Sequence, residues 1–259
     1  MFSPKTEKIK ELAKIYVSRI EELNNLFDKP TNVYIDFANV IQWQGKLGWH
    51  IDIKRLKQFF DSFDTIKQVK FYNGTLEGDL NSEQIIRIAR SSNYNVITKS
   101  VKIMKLSINV SSISESSPEI LKSFIRASLL KKLDINTIEY LNGRLKDLNK
   151  QGIMYLEDRK CNFDVEIGRD MLRDYDNDSL NNFILCSGDS DFADSIKQLL
   201  DDRKKVILFS TVRKVSRELD ELTDSGLLIF DIQKIRNFIC YSREIQQEKG
   251  YKSKKDSIS

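Results

Sequence analysis

One histidine, three cysteines and three prolines occur in 259 residues. With His50 as its only imidazole, the chain cannot form a His-rich metal site or a paired-histidine phosphodiesterase; His50 itself reads as a surface loop residue. Cys161, Cys186 and Cys240 are odd in number and widely spaced, which supports neither a disulfide framework nor a zinc site. No apolar run is long enough to span a bilayer, and the first residues lack the basic, apolar and small-residue sections of a signal peptide. A cytoplasmic protein with no membrane partner is therefore expected. Neither sign of charge dominates: 42 Lys and Arg against 38 Asp and Glu leave +4, a mild bias towards a polyanionic partner.

What is present belongs to a folded protein. A 40% hydrophobic share, with 31% charged residues, is too apolar for a disordered chain, and the length suits one core with additions. Ile9, Leu12, Tyr16, Ile20, Leu23 and Phe27 recur at helical spacing, predicting one amphipathic helix from about Lys5 to Phe27. A strand follows at Asn32–Asp36, then a polar loop, Gln42–Trp49, whose Trp43 and Trp49 either stack on a base or pack the loop down. Ile53–Phe63 reads as helix, Ile66–Tyr72 as strand, Ser82–Ser92 as helix and Asn95–Thr98 as strand. That alternation signals a parallel sheet.

From about residue 100 to 159 the rhythm breaks into an insertion. It holds an extended stretch around Val101–Val110, a serine-rich loop, and helices at Ile120–Leu130 and Ile135–Leu148. Its lysines, with Lys99, either edge a nucleic-acid path or form a solvated surface. Beyond it come strands at Phe183–Cys186, Lys205–Ser210 and Leu227–Phe230, each followed by a helical pattern: Phe192–Leu200, Val212–Leu222 and Ile232–Tyr241. The chain thus divides into an N-terminal helix (1–30), a domain over 31–243 that contains the insertion, and a polar, disordered tail (244–259).

Two of these strands end in carboxylates. Phe183–Cys186 runs into Ser187-Gly188-Asp189-Ser190-Asp191, and Val33-Tyr34-Ile35 into Asp36, with Asn39 placed to bond backbone or ligand at the turn. A single such acid is explained by helix capping. Two, at the strand ends where open α/β sheets bind ligands, point to a site. A third acid follows from helix geometry, at about 100° per residue: with Asp164 at zero, Gly168 falls near 40°, Leu172 near 80°, Val165 near 100°, Ile167 near 300° and Met171 near 340°. Asp164 then sits inside the apolar arc, where an isolated charge is costly, and is a ligand candidate. Glu166, Arg169, Asp170 and Arg173 fall on the opposite, solvated side, so Asp170 is a weaker candidate.

The motifs Ile35-Asp36-Phe37-Ala38-Asn39, Phe163-Asp164-Val165-Glu166-Ile167 with Asp170, and Ser187-Gly188-Asp189-Ser190-Asp191-Phe192 resemble, in order and spacing, the NYN family of PIN-like nucleases, in particular its LabA-like branch. The likeness runs from about Asn32 to Asp231 and includes Ser216, Leu219 and Asp224. One departure is that Lys160-Cys161-Asn162 precede Phe163, where the family has a lysine and a glycine directly before its valine and aspartate. The resemblance implies an α/β fold: a PIN-like three-layer α/β/α sandwich whose parallel sheet has the order 3-2-1-4-5. It also implies that Asp36, Asp164, Asp189 and Asp191 form an acidic, metal-binding catalytic cluster, with Asn39, Lys160 and Ser187 as candidate substrate contacts.

Clustered carboxylates repel one another and suit hard cations, so Mg²⁺ or Mn²⁺ is the expected cofactor. The expected activity is metal-dependent hydrolysis of single-stranded RNA. The expected partners are that RNA and, in a homodimer, a second copy of the chain. The alternative is an RNA-binding or regulatory scaffold on the same fold. A haloacid-dehalogenase-like phosphatase also begins with a strand ending in aspartate but needs an acid two residues on, where Ala38 stands.

Overall fold

Apolar runs too short for helices and buried on every residue become the central strands. The computed structural model describes residues 1–107, 109–152, 155–176, 180–211 and 215–242, with the side chains of 46, 104–107, 155–160 and 242 outside that description. The expected tail and residues 212–214 of an expected helix lie outside the described residues. The chain forms two compact units, one of residues 1–100 with 162 onwards, the other of 101–161.

In the first unit, α1 (Glu7–Ile15) and α2 (Val17–Leu26) replace the single helix expected there. The backbone leaves the helical region at Tyr16, with φ −108° and ψ 47°. The bend carries Ile9, Ile20, Leu23 and Phe27 into the main core. β1 (Thr31–Asp36) follows, then one-turn helices α3 (Phe37–Val40) and α4 (Gln44–Leu47) and the short strand β2 (Trp49–Ile51). The expected polar loop is thus largely helical, and Trp43, 1% exposed, belongs to the core. Gly48 takes the left-handed conformation (φ 68°) that ends α4 and turns the chain into β2. Next come α5 (Ile53–Phe60), β3 (Ile66–Thr75), α6 (Leu80–Ser91) and β4 (Asn95–Ser100).

The second unit contains β5 (Lys102–Ser107), α7 (Ala127–Leu130), α8 (Ile135–Lys150) and β6 (Tyr155–Lys160). β5 and β6 pair antiparallel, a partnership that the polar sequence of β6 does not announce. The expected helix over Ile120–Leu130 is a 3₁₀ turn at Ile120–Ser123 and the single turn of α7. Asn142 of α8, 2% exposed, donates to the carbonyls of Glu115 (2.5 Å) and Ser117 (2.7 Å), tying the serine-rich loop to the helix.

The chain returns to the first unit with α9 (Asp164–Tyr175), β7 (Asn182–Cys186), α10 (Ala193–Asp201), β8 (Lys205–Ser210), α11 (Arg217–Glu221), β9 (Leu228–Asp231), α12 (Arg236–Ile239) and β10 (Cys240–Ser242). In place of the expected final helix, a 3₁₀ turn and α12 lead into β10, which pairs antiparallel with β2.

The large sheet has the order β4-β3-β1-β7-β8-β9, every pair parallel. Counting its strands along the chain gives 3-2-1-4-5-6, the expected order extended by one edge strand. On one face Val33, Ile35, Phe71, Ile184 and Phe209 join the core formed with α1, α2 and α5. On the other, Tyr34 and Tyr72 of β1 and β3 meet α9. The order reverses between β1 and β7, so the carboxyl ends of these neighbours open the crevice in which α/β sheets place ligands.

Candidate metal centre

Three carboxylates converge at that crevice. Asp164 opens α9, while Asp189 and Asp191 follow β7, and one oxygen from each lies within 4.8 Å of the other two. Three carboxylates offer hard oxygen donors from one side, the kind of donor set that suits a hard divalent cation. Asp164 and Asp189 are half-buried and Asp191 is exposed, leaving the group open to a substrate. Burial raises the pKa of Asp164, and the nearby charges of Asp191 and Asp189 raise it further, with Lys99 opposing them.

Asp36 lies outside this group of three but within its electrostatic reach. Burial, followed by the charges of Asp164 and Asp189, pushes its pKa up to about 6, against hydrogen bonds from Asn39 and Ser187. Its two oxygens accept from the Asn39 backbone N–H and the Ser187 hydroxyl, each at 3.4 Å. Asn39 therefore contributes its backbone to capping. Ser187 also accepts from the Asp189 N–H at 3.3 Å, linking the two strand ends. Asp189 caps the turn at Ser190–Phe192 by accepting from the Asp191 N–H at 3.4 Å, so the capping role and the cluster position coexist on one side chain. Lys160 ends β6, and its side chain lies outside the described residues.

The rotation argument places α9 only in part. Ile167, Gly168 and Met171 are buried as expected, but Val165, expected in the apolar arc, is 80% exposed, and Asp164 is half-buried at the helix start rather than inside the core. The largest correction concerns the supposedly solvated side. Asp170 accepts a 2.9 Å hydrogen bond from the Tyr72 hydroxyl. Asp174 accepts from Asn32 Nδ2 (2.8 Å), the Tyr34 hydroxyl (2.5 Å) and Lys70 Nζ (2.7 Å). Glu166 receives both of its bonds from Lys99 Nζ, at 2.7 and 2.8 Å, while that ammonium lies 4.7 Å from the Phe163 ring centroid. The carboxylates at 166, 170 and 174 thus dock α9 onto β4, β3 and β1. Burial, and then Asp174 and Asp170 respectively, raise the pKa values of Tyr34 and Tyr72, so both hydroxyls remain donors.

Sequence reasoning missed Asn32, Tyr34, Lys70 and Tyr72. The available signal was period two: Asn32, Tyr34 and Asp36, and Lys70 and Tyr72, are alternate residues of apolar strands and so share one sheet face. Gly168 completes the docking. A Cβ there would stand 2.7 Å from Ser195 Oγ on α10, so glycine permits the close approach of the two helices. At the end of β8, the buried hydroxyls of Ser210 and Thr211 have no hydrogen-bond partner among the described residues.

A parallel sheet of this order, with carboxylates gathered where the order reverses, defines an α/β protein of the PIN-like type. The model of the NYN domain family matches residues 122–231. The match includes Asp164, Asp189 and Asp191 and begins after β1, so Asp36 precedes it. Among solved structures, a protein of unknown function from Vibrio parahaemolyticus is similar with a TM-score of 0.45 and 16% identity, over 78% of this chain and 93% of that one. A comparison with curated proteins finds no match.

Proposed function

We propose that the protein is a metal-dependent nuclease of the LabA-like kind that hydrolyses phosphodiester bonds of single-stranded RNA. The observation that carries this reading is the convergence of Asp164, Asp189 and Asp191 within 4.8 Å at the sheet's switch point. These three would hold Mg²⁺ or Mn²⁺, with Asp36 beside them. A divalent ion held there lowers the pKa of water and offsets charge on a phosphate.

The chain's own residues supply the rest. Asp36, buried beside the cluster and held by the Asn39 N–H and the Ser187 hydroxyl, is placed as an acceptor for a proton released at the site. Ser187 keeps its carboxyl facing the cluster, and Lys99, held by Glu166, brings a positive charge towards Asp164. The hydroxyls of Ser210 and Thr211 offer donors at the end of the adjoining strand. No imidazole is needed.

The test is incubation of the purified protein with labelled single-stranded RNA and DNA in Mn²⁺, Mg²⁺ or chelator. Cleavage of RNA with metal and none with chelator is expected, and Asp189→Asn should lose on the order of a hundredfold or more of the rate. RNA bound tightly but left intact in every metal would replace this reading with the scaffold.

A further inference from the structure

A second concave site lies between the first helix and the β2–β10 ribbon. It is a cleft of about 510 Å³ lined by Lys8, Leu12, Trp49, Arg55, Asn237 and the ribbon residues Cys240 and Tyr241. None of them belongs to the acidic cluster. The volume falls in the range of small-molecule pockets, about 300–1,000 Å³. Leu12 and Trp49 give it apolar surface, and no described carboxylate lines it.

Its charge is positive. Arg55 donates to the Cys240 carbonyl at 2.6 Å and pairs with Asp52 at 3.5 Å, which fixes its guanidinium beside the cleft. The Arg236 guanidinium lies 4.4 Å from the centroid of the Trp49 ring. Burial pushes the Cys240 thiol up to about 12; the charges of Arg236 and Arg55 act against that rise and Asp52 adds to it, so two guanidinium groups and the carboxylate paired with Arg55 stand near this wall. Lys8 is exposed, and its ammonium adds a movable charge at the rim. An indole for stacking, an ammonium at the rim and a guanidinium that Asp52 offsets only in part match a planar aromatic group that bears a phosphate.

We infer that this cleft binds a nucleoside monophosphate, free or as the phosphorylated terminus of an oligonucleotide, with the base against Trp49 and the phosphate towards Lys8 and Arg55. The inference is independent of the acidic cluster and of any cleavage there.

Trp43 is 1% exposed and Trp49 half-buried, so quenching of tryptophan fluorescence reports on Trp49. The full chain, in chelator to remove metal from the acidic cluster, is titrated with adenosine 5′-monophosphate, adenosine, and a trinucleotide with and without a 5′-phosphate. Saturable quenching by the monophosphate is expected, with adenosine weaker by about tenfold or more for want of the charged contacts. Lys8→Glu, an exposed change that leaves the core intact, should weaken the monophosphate by a similar factor. Tighter binding of the phosphorylated trinucleotide identifies a chain terminus as the ligand, and equal or weaker binding identifies the free nucleotide. Non-saturable quenching, equal affinity for adenosine and its monophosphate, or an unchanged affinity in Lys8→Glu overturns the inference. Because no arm contains metal or measures cleavage, these outcomes do not depend on the nuclease reading.

Discussion

Tyr34, in the middle of β1, donates a 2.5 Å hydrogen bond to the carboxylate of Asp174, in the last turn of α9. Two residues on, the same strand ends in Asp36; ten residues back, the same helix begins with Asp164. The distal end of the helix is thus clamped to the strand, and the proximal end delivers an acid beside that strand's own.

The clamp should matter to stability. Lys70 is 7% exposed and pairs with Asp174 at 2.7 Å; removing the partner of a buried charge costs about 3–5 kcal/mol, of which the partial exposure of Asp174 should retain the lower part. Asp174→Asn is therefore expected to shift the urea midpoint strongly downward. The double variant Lys70→Met/Asp174→Asn should recover most of the loss, because no unpaired ammonium remains. Equal stability of wild type and Asp174→Asn would show that the pair contributes nothing.

Two acids of one helix should behave differently. Asp164→Asn removes a cluster carboxylate and is expected to lower metal-dependent cleavage by about a hundredfold with the fold retained. Asp170→Asn keeps an acceptor for Tyr72 and should cost about 1 kcal/mol of stability while cleavage per folded molecule stays near wild type. Circular dichroism and cleavage, measured side by side, separate the two effects, and matching losses of activity would contradict the assignment of Asp164 to the site.

Metal should stabilise the chain by binding the folded cluster and relieving its repulsion. In millimolar Mn²⁺ the melting temperature of wild type is expected to rise by several degrees, about 1–3 kcal/mol of binding linkage. An Asp164→Asn/Asp189→Asn variant should show no such rise. A wild-type melt that ignores Mn²⁺ excludes a metal site there.

In chelator the sign of the pH dependence follows from Asp36. Its folded pKa, about 6, stands above the reference value of 3.8, so the folded chain binds the proton more tightly than the unfolded one. Stability from this group is fully present below about pH 4 and is lost as pH rises through 6. Asp164, also raised, acts in the same direction. Asp36→Asn removes the contribution, so its stability relative to wild type should improve from pH 4 to pH 7 in denaturant titrations. A difference independent of pH refutes the raised value.

Gly168→Ala sets helix propensity, worth about 1 kcal/mol in alanine's favour, against the 2.7 Å approach to Ser195 Oγ. The single variant is expected to lose stability or stay level, whereas Gly168→Ala/Ser195→Ala should exceed Ser195→Ala alone. Additivity in this cycle would mean that α9 and α10 have room to spare at that point.

The sequence by itself determined the parallel strands, because Val, Ile and Phe runs of strand length leave little alternative to a doubly covered sheet, whereas their order came only with the family resemblance. It also determined which acids stand at strand ends: Asp36 and Asp189 are legible because an apolar run stops at each. Tertiary structure decided what patterns of charge cannot express. Glu166 and Asp170 read as solvated because helical periodicity sorts residues by polarity, yet Lys99 and the Tyr72 hydroxyl on the sheet make a polar helix face the docking face. Likewise β6 and β10 carry no apolar signature, and each becomes a strand through the partner to which the chain returns it, β5 and β2. The convergence of Asp164 with Asp189 and Asp191 is of this second kind, since it depends on how α9 seats on β1 and β3 through Tyr34, Lys70 and Tyr72, a distance relation that no local spacing contains.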